Sequence, residues 1–279
     1  MPRYLEVRCR RALSRSGLPD LDYALNPYLG CEHGCIYCYA RLYTPPQIAR
    51  EWGEIVAIRR NIVEVLRREV RFLKRGTVGV GTISDGYQPI EEREELTRRC
   101  IEVLLGAGFR VSVQTKSSLV ERDADLLKNP LADVGLTITF VDDAKARAYE
   151  PRASPPSERI ETARSLRKRG VEVWIFYGPV IPGANDDWET FREILSLAKE
   201  LRARLYIDPL HPKRFMFETG VLAKEAREAR SKRFRDRIEA MFRACAEEGV
   251  KCLPGFEGDA SQEGGSRASY TLDRFLDSS

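Results

Sequence analysis

Apolar residues stand at every second position in several short segments of the chain, which is the pattern of a β-strand packed against a core. We list these segments as 78–83, 109–113, 134–138, 171–175 and 205–208. A further strand, the first along the chain, is predicted over 23–29, where it leads directly into a cysteine-rich segment.

Between the predicted strands, apolar residues recur three or four positions apart, which is the spacing of one helix face. One such set covers 62–73 and another covers 191–201. Gly76, Gly108 and Gly170 each stand just before the next strand, where a left-handed helix cap is expected. About six repeats of strand and helix predict a parallel sheet, because parallel neighbours need crossover connections. Periodicity alone leaves an open sheet and a barrel as alternatives.

The pattern changes after Pro212, where the alternation of strands and helices stops. A long charged helix is predicted over 222–248, with Phe234, Ile238 and Met241 on its apolar face. The last residues are rich in Gly and Ser and predict a loose segment or a lid. We therefore divide the chain into an N-terminal segment over 1–20, a strand–helix domain over 21–210, and a helical C-terminal extension over 211–279.

Composition fits a globular protein, with 43% hydrophobic and 32% charged residues. The chain has no run of 18 apolar residues, and its basic N-terminus lacks the apolar core of a signal peptide. We therefore expect a cytoplasmic protein without a membrane partner.

The net charge is only +4, but 36 of the 46 basic residues are arginine. Arginine suits bidentate recognition of phosphate, so a nucleic-acid or nucleotide partner is one interpretation. Solvated helix faces are the other, because glutamates are interleaved with the arginines over 59–75.

Three of the seven cysteines lie within eight residues, at Cys31, Cys35 and Cys38. Clustered thiols in a chain without an export signal favour a metal centre over a disulfide framework. Three thiolates leave one iron of a [4Fe–4S] cube open, as a catalytic centre requires. Gly30 and Gly34 permit the tight backbone that such a loop needs. The alternative is a zinc site that adds His33, although this residue is poorly placed between two of the ligands.

The spacing CxxxCxxC, with an aromatic residue before the last cysteine, resembles the signature of the radical S-adenosylmethionine (SAM) superfamily. The stretch NPYLGCEHGCIYCYAR (26–41) is similar to the DNA-photolyase-like subgroup that includes spore photoproduct lyase. Further similar segments follow in order: SDGYQPIE (84–91), QTKSSLVERDADLL (114–127), TITF (137–140), YEPRASPPSERI (149–160) and GPVIPGAND (178–186). The resemblance covers about residues 21 to 209.

The resemblance implies a partial (β/α)6 TIM-type barrel, with an active site at the carboxyl ends of its strands. It also implies two cofactors, a [4Fe–4S] cluster and SAM, and an electron donor of the ferredoxin or flavodoxin type. The reduced cluster of such an enzyme cleaves SAM to a 5′-deoxyadenosyl radical, which abstracts hydrogen from a substrate. The substrate of this chain is not identified by the resemblance, and nucleic acid is one candidate.

Individual roles follow from the same resemblance. It makes Cys31, Cys35 and Cys38 the cluster ligands. It places the other cofactor-binding candidates around SAM: Tyr37 and Ile181 at the adenine, Ser84 and Asp85 at the amino group, Lys116 at the carboxylate, and Thr137 at the ribose or methionine. A polar turn would also explain Ser84 and Asp85, and a surface lysine would also explain Lys116.

Two residues are candidates for the chemical step. Tyr39 follows the last clustered cysteine and is placed to face the cavity, and Cys252 lies in a loop from which it could donate hydrogen. Glu150 and Arg152 could form an ion pair, either facing the substrate or purely structural. The end of the second barrel strand, 81–84, holds no cysteine, unlike spore photoproduct lyase, so the thymine-dimer reaction is not assigned.

An alternative class is a nucleic-acid-binding module in which a structural metal, zinc or iron–sulfur, is held by the cysteines. The polar side chains of Ser84, Asp85 and Lys116 discriminate between the two classes, because SAM binding requires such groups and a structural metal site does not.

Overall fold

The computed structural model describes residues 2–18 and 20–255. Its strands, numbered along the chain, are β1 (Arg3–Val7), β2 (Leu13–Arg15), β3 (Tyr23–Leu25), β4 (Tyr28–Leu29), β5 (Ile55–Arg59), β6 (Thr77–Val80), β7 (Arg110–Thr115), β8 (Ala132–Thr137), β9 (Val173–Val180), β10 (Leu205–Pro209) and β11 (Cys252–Pro254).

The α-helices are α1 (Pro46–Arg50), α2 (Ile62–Glu69), α3 (Glu91–Glu94), α4 (Leu96–Gly106), α5 (Ala124–Leu127), α6 (Asp143–Tyr149), α7 (Pro156–Lys168), α8 (Trp188–Glu200), α9 (Arg214–Glu218), α10 (Ala223–Glu228) and α11 (Lys232–Glu247). Two 3₁₀ helices span Tyr39–Tyr43 and Ser118–Asp123. Within the described ranges, no helix is long and apolar enough to cross a membrane.

The main sheet has eight strands in the order β11-β10-β9-β8-β7-β6-β3-β2. All neighbours are parallel except β2, which runs antiparallel to β3. The six strands predicted from the alternation pattern are therefore confirmed as parallel neighbours, β3 and β6 to β10. Over residues 2–18 and 20–255 the two end strands, β2 and β11, form no pairing with each other.

The central strands are covered on both faces. β8 is buried at every position, and β9 at all but one, as is typical of parallel strands that are covered on both faces. β7 alternates between buried and partly exposed positions, as its sequence pattern predicts. Parallel strands bring all their carboxyl ends to one edge, where the segments after β6, β7, β8, β9 and β10 meet.

A second, three-stranded sheet with the order β1-β5-β4 lies beside the cysteine loop. The prediction of one strand over 23–29 is wrong, because the chain forms two short strands there, β3 and β4. Pro27 lies between the two halves and has no N–H for a sheet ladder. The chain therefore leaves the main sheet there, and β4 pairs with β5 instead. β1 and β2 also incorporate the N-terminal segment into the two sheets.

The C-terminal extension differs from the single helix predicted over 222–248. Ser231 caps the last helix by accepting a hydrogen bond from the backbone N–H of Phe234, so α10 and α11 are separate. The alternation also does not stop, because β11 follows α11 and pairs in parallel with β10. The Gly/Ser-rich end predicted as loose, residues 256–279, lies outside the described residues.

Candidate active site

A cavity of about 290 Å3 lies at the carboxyl edge of the main sheet. The cysteine loop forms one wall, and the segments after β6, β7, β9 and β10 form the others. Nine of the eleven residues singled out from the sequence line it: Cys31, Cys35, Tyr37, Cys38, Tyr39, Ser84, Asp85, Lys116 and Thr137. These nine residues come from four separate segments of the chain and meet at the edge of the sheet that the strand order predicts.

The cysteine loop is a chain of tight turns. The N–H of Gly34 donates to the carbonyl of Cys31 at 3.2 Å, and the N–H of Cys38 donates to that of Cys35 at 3.2 Å. Gly30 has a φ of +84°, and a Cβ there would lie 2.4 Å from the carbonyl oxygen of Ile55. Glycine is therefore required where the loop approaches β5.

Burial shifts the pKa of each of the three thiols. It raises the pKa of Cys31 well above its ordinary value and that of Cys35 to about 12, and it also raises the pKa of Cys38. The nearby charge of Lys116 lowers the pKa of Cys35 and Cys38 and opposes this effect. A metal centre must displace these protons, because thiolates are the ligands.

The donor set fits an iron–sulfur cluster. Three soft thiol sulfurs face one partly enclosed cavity, and cluster irons are bound by cysteine thiolates. In the described part of the chain, no three His, Cys, Asp or Glu side chains converge on a point suited to a single metal ion. A cube places its thiolates on different irons and does not need such convergence.

Ser84 is buried between the cysteine loop and the segment that follows β6. Its hydroxyl donates to the carbonyl of Gly30 at 2.8 Å and accepts from Nε2 of Gln88 at 3.0 Å. A hydroxyl has two acceptor sites, so one lone pair of Ser84 is left for a ligand in the cavity.

Asp85 makes four contacts within the protein. Its carboxylate accepts from the Thr115 hydroxyl at 2.7 Å, from the N–H of Lys116 at 2.9 Å and from the N–H of Tyr87 at 2.8 Å. Nδ1 of His33 lies 3.4 Å from the same group. Burial alone would raise the pKa of Asp85, but His33 and these hydrogen bonds outweigh it and lower the pKa to about 2. Asp85 therefore links the cysteine loop to the end of β7.

Lys116 contributes a cation to the cavity wall at the end of β7. Its Nζ lies 5.7 Å from the centroid of the Tyr37 ring, within cation–π range. Across residues 2–18 and 20–255, its ammonium forms no hydrogen bond or ion pair with a protein group. An ammonium held at the end of β7 without a carboxylate partner is suited to an anionic ligand.

A buried network fixes the cavity wall around Tyr37. The Tyr37 hydroxyl donates to Glu150, and Arg159 donates to the other carboxylate oxygen of Glu150. Arg159 also donates to the backbone carbonyl of Thr137 at 2.8 Å. The Thr137 hydroxyl in turn accepts from Nε2 of Gln114 at 3.3 Å. The predicted ion pair of Glu150 with Arg152 is therefore wrong, because Arg159 is the partner of Glu150.

Arg152 has a different role, as a brace for the cysteine loop. Its Nε donates to the carbonyl of Glu32 at 2.7 Å, and its Nη1 pairs with Glu54 at 2.8 Å. A Cβ at Gly53 would lie 2.5 Å from its guanidinium, so only glycine allows this approach.

Two of the predicted residues do not line the cavity. Ile181 is fully buried in a hydrophobic cluster with Cys35 and Tyr37, one layer behind the wall. Cys252 forms a disulfide with Cys245. The expectation of a free Cys252 thiol that donates hydrogen is therefore corrected, because a disulfide sulfur carries no hydrogen. The cysteine pattern in the sequence favoured a metal centre over disulfides and therefore missed this pair. The pairing of β11 with β10 places Cys252 beside α11, which carries Cys245.

Several lining residues were not singled out from the sequence. Asp208, His211 and Lys213 follow β10, and Nε2 of His211 lies 3.1 Å from Oδ1 of Asp208. Their only signal was their position at the end of the last predicted strand. Tyr43 and Trp52 also line the cavity. They lie in the segment that follows the cysteines and carry no motif of their own.

Comparison with known proteins agrees with this geometry. Residues 25–198 match the Radical SAM superfamily. An uncharacterized protein of Methanocaldococcus jannaschii is 30% identical over 183 residues, which are 65% of this chain and 69% of that protein. An uncharacterized protein of Mycobacterium tuberculosis is 30% identical over 203 residues, which are 68% of this chain and 59% of that protein. The match therefore spans between 59% and 69% of the length of these curated relatives.

Among solved structures, a spore photoproduct lyase mutant superposes with a TM-score of 0.69 at 15% identity, covering 90% of this chain and 82% of that chain. Another structure of spore photoproduct lyase, complexed with dinucleoside spore photoproduct, has a TM-score of 0.67 at 15% identity, covering 90% of this chain and 82% of that chain. At this identity the likeness concerns the fold.

Proposed function

The chain belongs to the radical SAM superfamily, and from that premise we propose that it cleaves SAM reductively and uses the resulting radical on a substrate. With a [4Fe–4S] cluster and SAM bound, the site would supply a 5′-deoxyadenosyl radical that abstracts hydrogen. One observation carries the proposal. A single cavity joins three thiols on a glycine-bent loop to a strand-end ammonium that has no carboxylate partner among the described residues.

Each of the cavity residues has a separate proposed role in binding the cluster or SAM. Cys31, Cys35 and Cys38 would hold the cluster, and Lys116 would bind the carboxylate of the SAM methionine. The remaining lone pair of Ser84 would accept a hydrogen bond from the SAM ammonium. Asp85 has its acceptor sites occupied by protein groups, so we assign it the positioning of the cysteine loop and of Lys116.

Tyr37 and Thr137 would support the SAM nucleoside from the opposite wall. The buried network of Glu150 and Arg159 holds both of them, which fixes the wall before SAM binds. Pre-ordered contacts of this kind lower the entropic cost of orienting a substrate. Ile181 would support this wall by packing against it and would not contact SAM itself.

Nucleic acid is our proposed substrate class. Two exposed tyrosines, Tyr39 and Tyr43, line the cavity together with the cation Lys213 and with His211. Stacking surfaces next to cations are typical of sites for single-stranded nucleic acid. The arginine-rich composition and the likeness of fold to a lyase complexed with a dinucleoside point the same way. Tyr39 donates to the carbonyl of Thr82 at 2.5 Å and is our candidate for hydrogen transfer.

The test of the radical chemistry is reconstitution with iron and sulfide under anaerobic conditions. The protein is then reduced, ideally by a ferredoxin or flavodoxin, and SAM is added. We expect 5′-deoxyadenosine by mass spectrometry, and none from a variant with alanine at Cys31, Cys35 and Cys38. A wild-type protein that binds one zinc instead of four irons would contradict the proposal and support a structural metal.

The substrate class has its own test. Binding of fluorescent single-stranded oligonucleotides should weaken as salt rises, with a slope set by the phosphates contacted. Tyr43→Ala should weaken it further, by roughly 1–3 kcal/mol for one stacked base. Phe72→Ala removes an aromatic ring that is 88% exposed elsewhere and should have no effect. Binding that is independent of salt and of Tyr43 would argue against a nucleic-acid substrate.

A further inference from the structure

Gln88 is fully buried in the segment between β6 and α3, and its side chain reaches the backbone on both sides of Cys31. Oε1 accepts a hydrogen bond from the N–H of Glu32 at 2.9 Å. Nε2 lies 3.2 Å from the carbonyl oxygen of Gly30. One amide thus brackets the first cysteine of the loop from before and after.

The same amide also fixes what lies opposite Cys31. Nε2 lies 3.0 Å from the Ser84 hydroxyl and 3.1 Å from the carbonyl of Asp85. Cys31 is therefore held through its two neighbours, and Gln88 contacts both of them as well as the Ser84 hydroxyl.

The chemistry of an amide explains why glutamine suits this position. It presents a donor and an acceptor at one end without a charge, and both a backbone N–H and a backbone carbonyl need a partner here. A buried peptide group that loses its partner costs about 1–3 kcal/mol. An apolar side chain of equal size at position 88 would leave the N–H of Glu32 unpaired, and the carbonyl of Gly30 would keep only its bond from the Ser84 hydroxyl.

We propose that Gln88 is a positioning residue that sets where the Cys31 sulfur lies relative to Ser84. This inference rests on the proposed function, since it concerns the geometry of the cluster ligand and of the group assigned to the SAM ammonium. Gln88 itself would contact neither the cluster nor SAM. Its effect passes through the peptide groups on either side of Cys31 and through the Ser84 hydroxyl.

The chain contains a matched control for this arrangement. The side-chain amide of Asn61 likewise hydrogen-bonds backbone groups at another buried cysteine, in this case those of the cysteine itself. It accepts from the N–H of Cys9 at 2.7 Å and donates to the carbonyl of Cys9 at 2.9 Å. Cys9 does not line the cavity and has no proposed role in the chemistry.

The experiment measures how fast each cysteine is alkylated by iodoacetamide in metal-free, anaerobic protein, with peptide mass spectrometry as the readout. In Gln88→Met, we expect Cys31 to react about tenfold faster while Cys9 keeps its rate. In Asn61→Leu, Cys9 should react about tenfold faster and Cys31 should not change. Tenfold corresponds to about 1.4 kcal/mol, near the worth of one buried hydrogen bond.

Two results would overturn the inference. One is an unchanged Cys31 rate in folded Gln88→Met. The other is a rise of both cysteines in both variants, which would indicate general destabilisation. Should Gln88→Met not fold, Gln88→Glu keeps the acceptor for Glu32 and loses the donors. We then expect a smaller but still selective increase at Cys31, and no increase would overturn the inference as well.

A second readout separates this inference from the proposed function. After reconstitution, Gln88→Met should shift the electron paramagnetic resonance spectrum of the reduced cluster and weaken SAM binding, whereas Asn61→Leu should change neither. Identical spectra and SAM affinity in wild type and Gln88→Met would overturn the positioning role. If wild-type protein holds no cluster while Cys31 still responds selectively to Gln88, the proposed function fails and the bracketing of Cys31 stands.

Discussion

The pair of Arg159 and Glu150 gives a sharp prediction for the wall of the cavity. The two side chains are 1% and 0% exposed, and Arg159 is among the largest fully buried side chains of the described residues. Arg159→Met keeps most of the volume and removes the charge. It leaves the carboxylate of Glu150 buried with the Tyr37 hydroxyl as its remaining close hydrogen-bond donor.

The magnitude follows from this burial. Removing one partner of a buried ion pair costs about 3–5 kcal/mol, because the other charge stays behind without compensation. The carbonyls of Thr137 and Ser154 also lose their donor. We expect Arg159→Met to lower the free energy of unfolding by about 4 kcal/mol. The double variant Arg159→Met/Glu150→Gln should recover part of this loss, because no uncompensated charge remains.

Urea unfolding of metal-free protein, followed by circular dichroism, measures both values. The control is Arg164→Met, which breaks a pair with Glu200 in which both side chains are more than 40% exposed. An exposed pair contributes about 0–1 kcal/mol, so this variant should be close to wild type. A loss of less than about 1 kcal/mol in Arg159→Met, equal to the control, would refute the assigned importance of the buried network.

Three further predictions concern the same cavity and its surroundings. Lys116→Ala should weaken SAM binding by about tenfold or more, the worth of a charge-assisted hydrogen bond, with iron content unchanged; equal affinity by calorimetry would remove its assigned role. Cys252→Ser should cost roughly 2 kcal/mol of stability, since it opens a short loop with a sequence separation of 7, and should leave 5′-deoxyadenosine formation intact. Loss of the product would restore Cys252 as a participant. Burial would raise the pKa of Glu150, but Arg159 and Lys116 outweigh it and lower that pKa below its ordinary value of 4.5. Its contribution is therefore present above that pH and is lost as pH falls through the lower folded value. Urea midpoints should drop more between pH 7 and about pH 3 for wild type than for Glu150→Gln, and equal drops would contradict this.

The pattern of apolar residues was sufficient for most of the parallel sheet. β6 to β10 lie where alternation predicts them, because their side chains meet the core at every second position and helices follow at the expected lengths. The same reasoning failed for β11. Three residues at the edge of a sheet carry too little pattern, and only pairing with β10 makes them a strand. The helix predicted over 222–248 failed because Ser231 caps α11 in the middle of a continuous apolar stripe.

The chemistry of the site divides in the same way. The cysteine spacing is a local property of eight residues, so the sequence by itself determined the thiol cluster, the glycines that bend its loop, and the family resemblance. The groups that hold this cluster in place come from far along the chain. Gln88 lies 58 residues from Gly30, and Glu150 lies 113 residues from Tyr37. Such contacts depend on how parallel strands bring their carboxyl ends to one edge. Only the tertiary structure could therefore decide that Arg159 rather than Arg152 pairs with Glu150, that Asp85 serves the cysteine loop, and that Cys252 is bonded to Cys245.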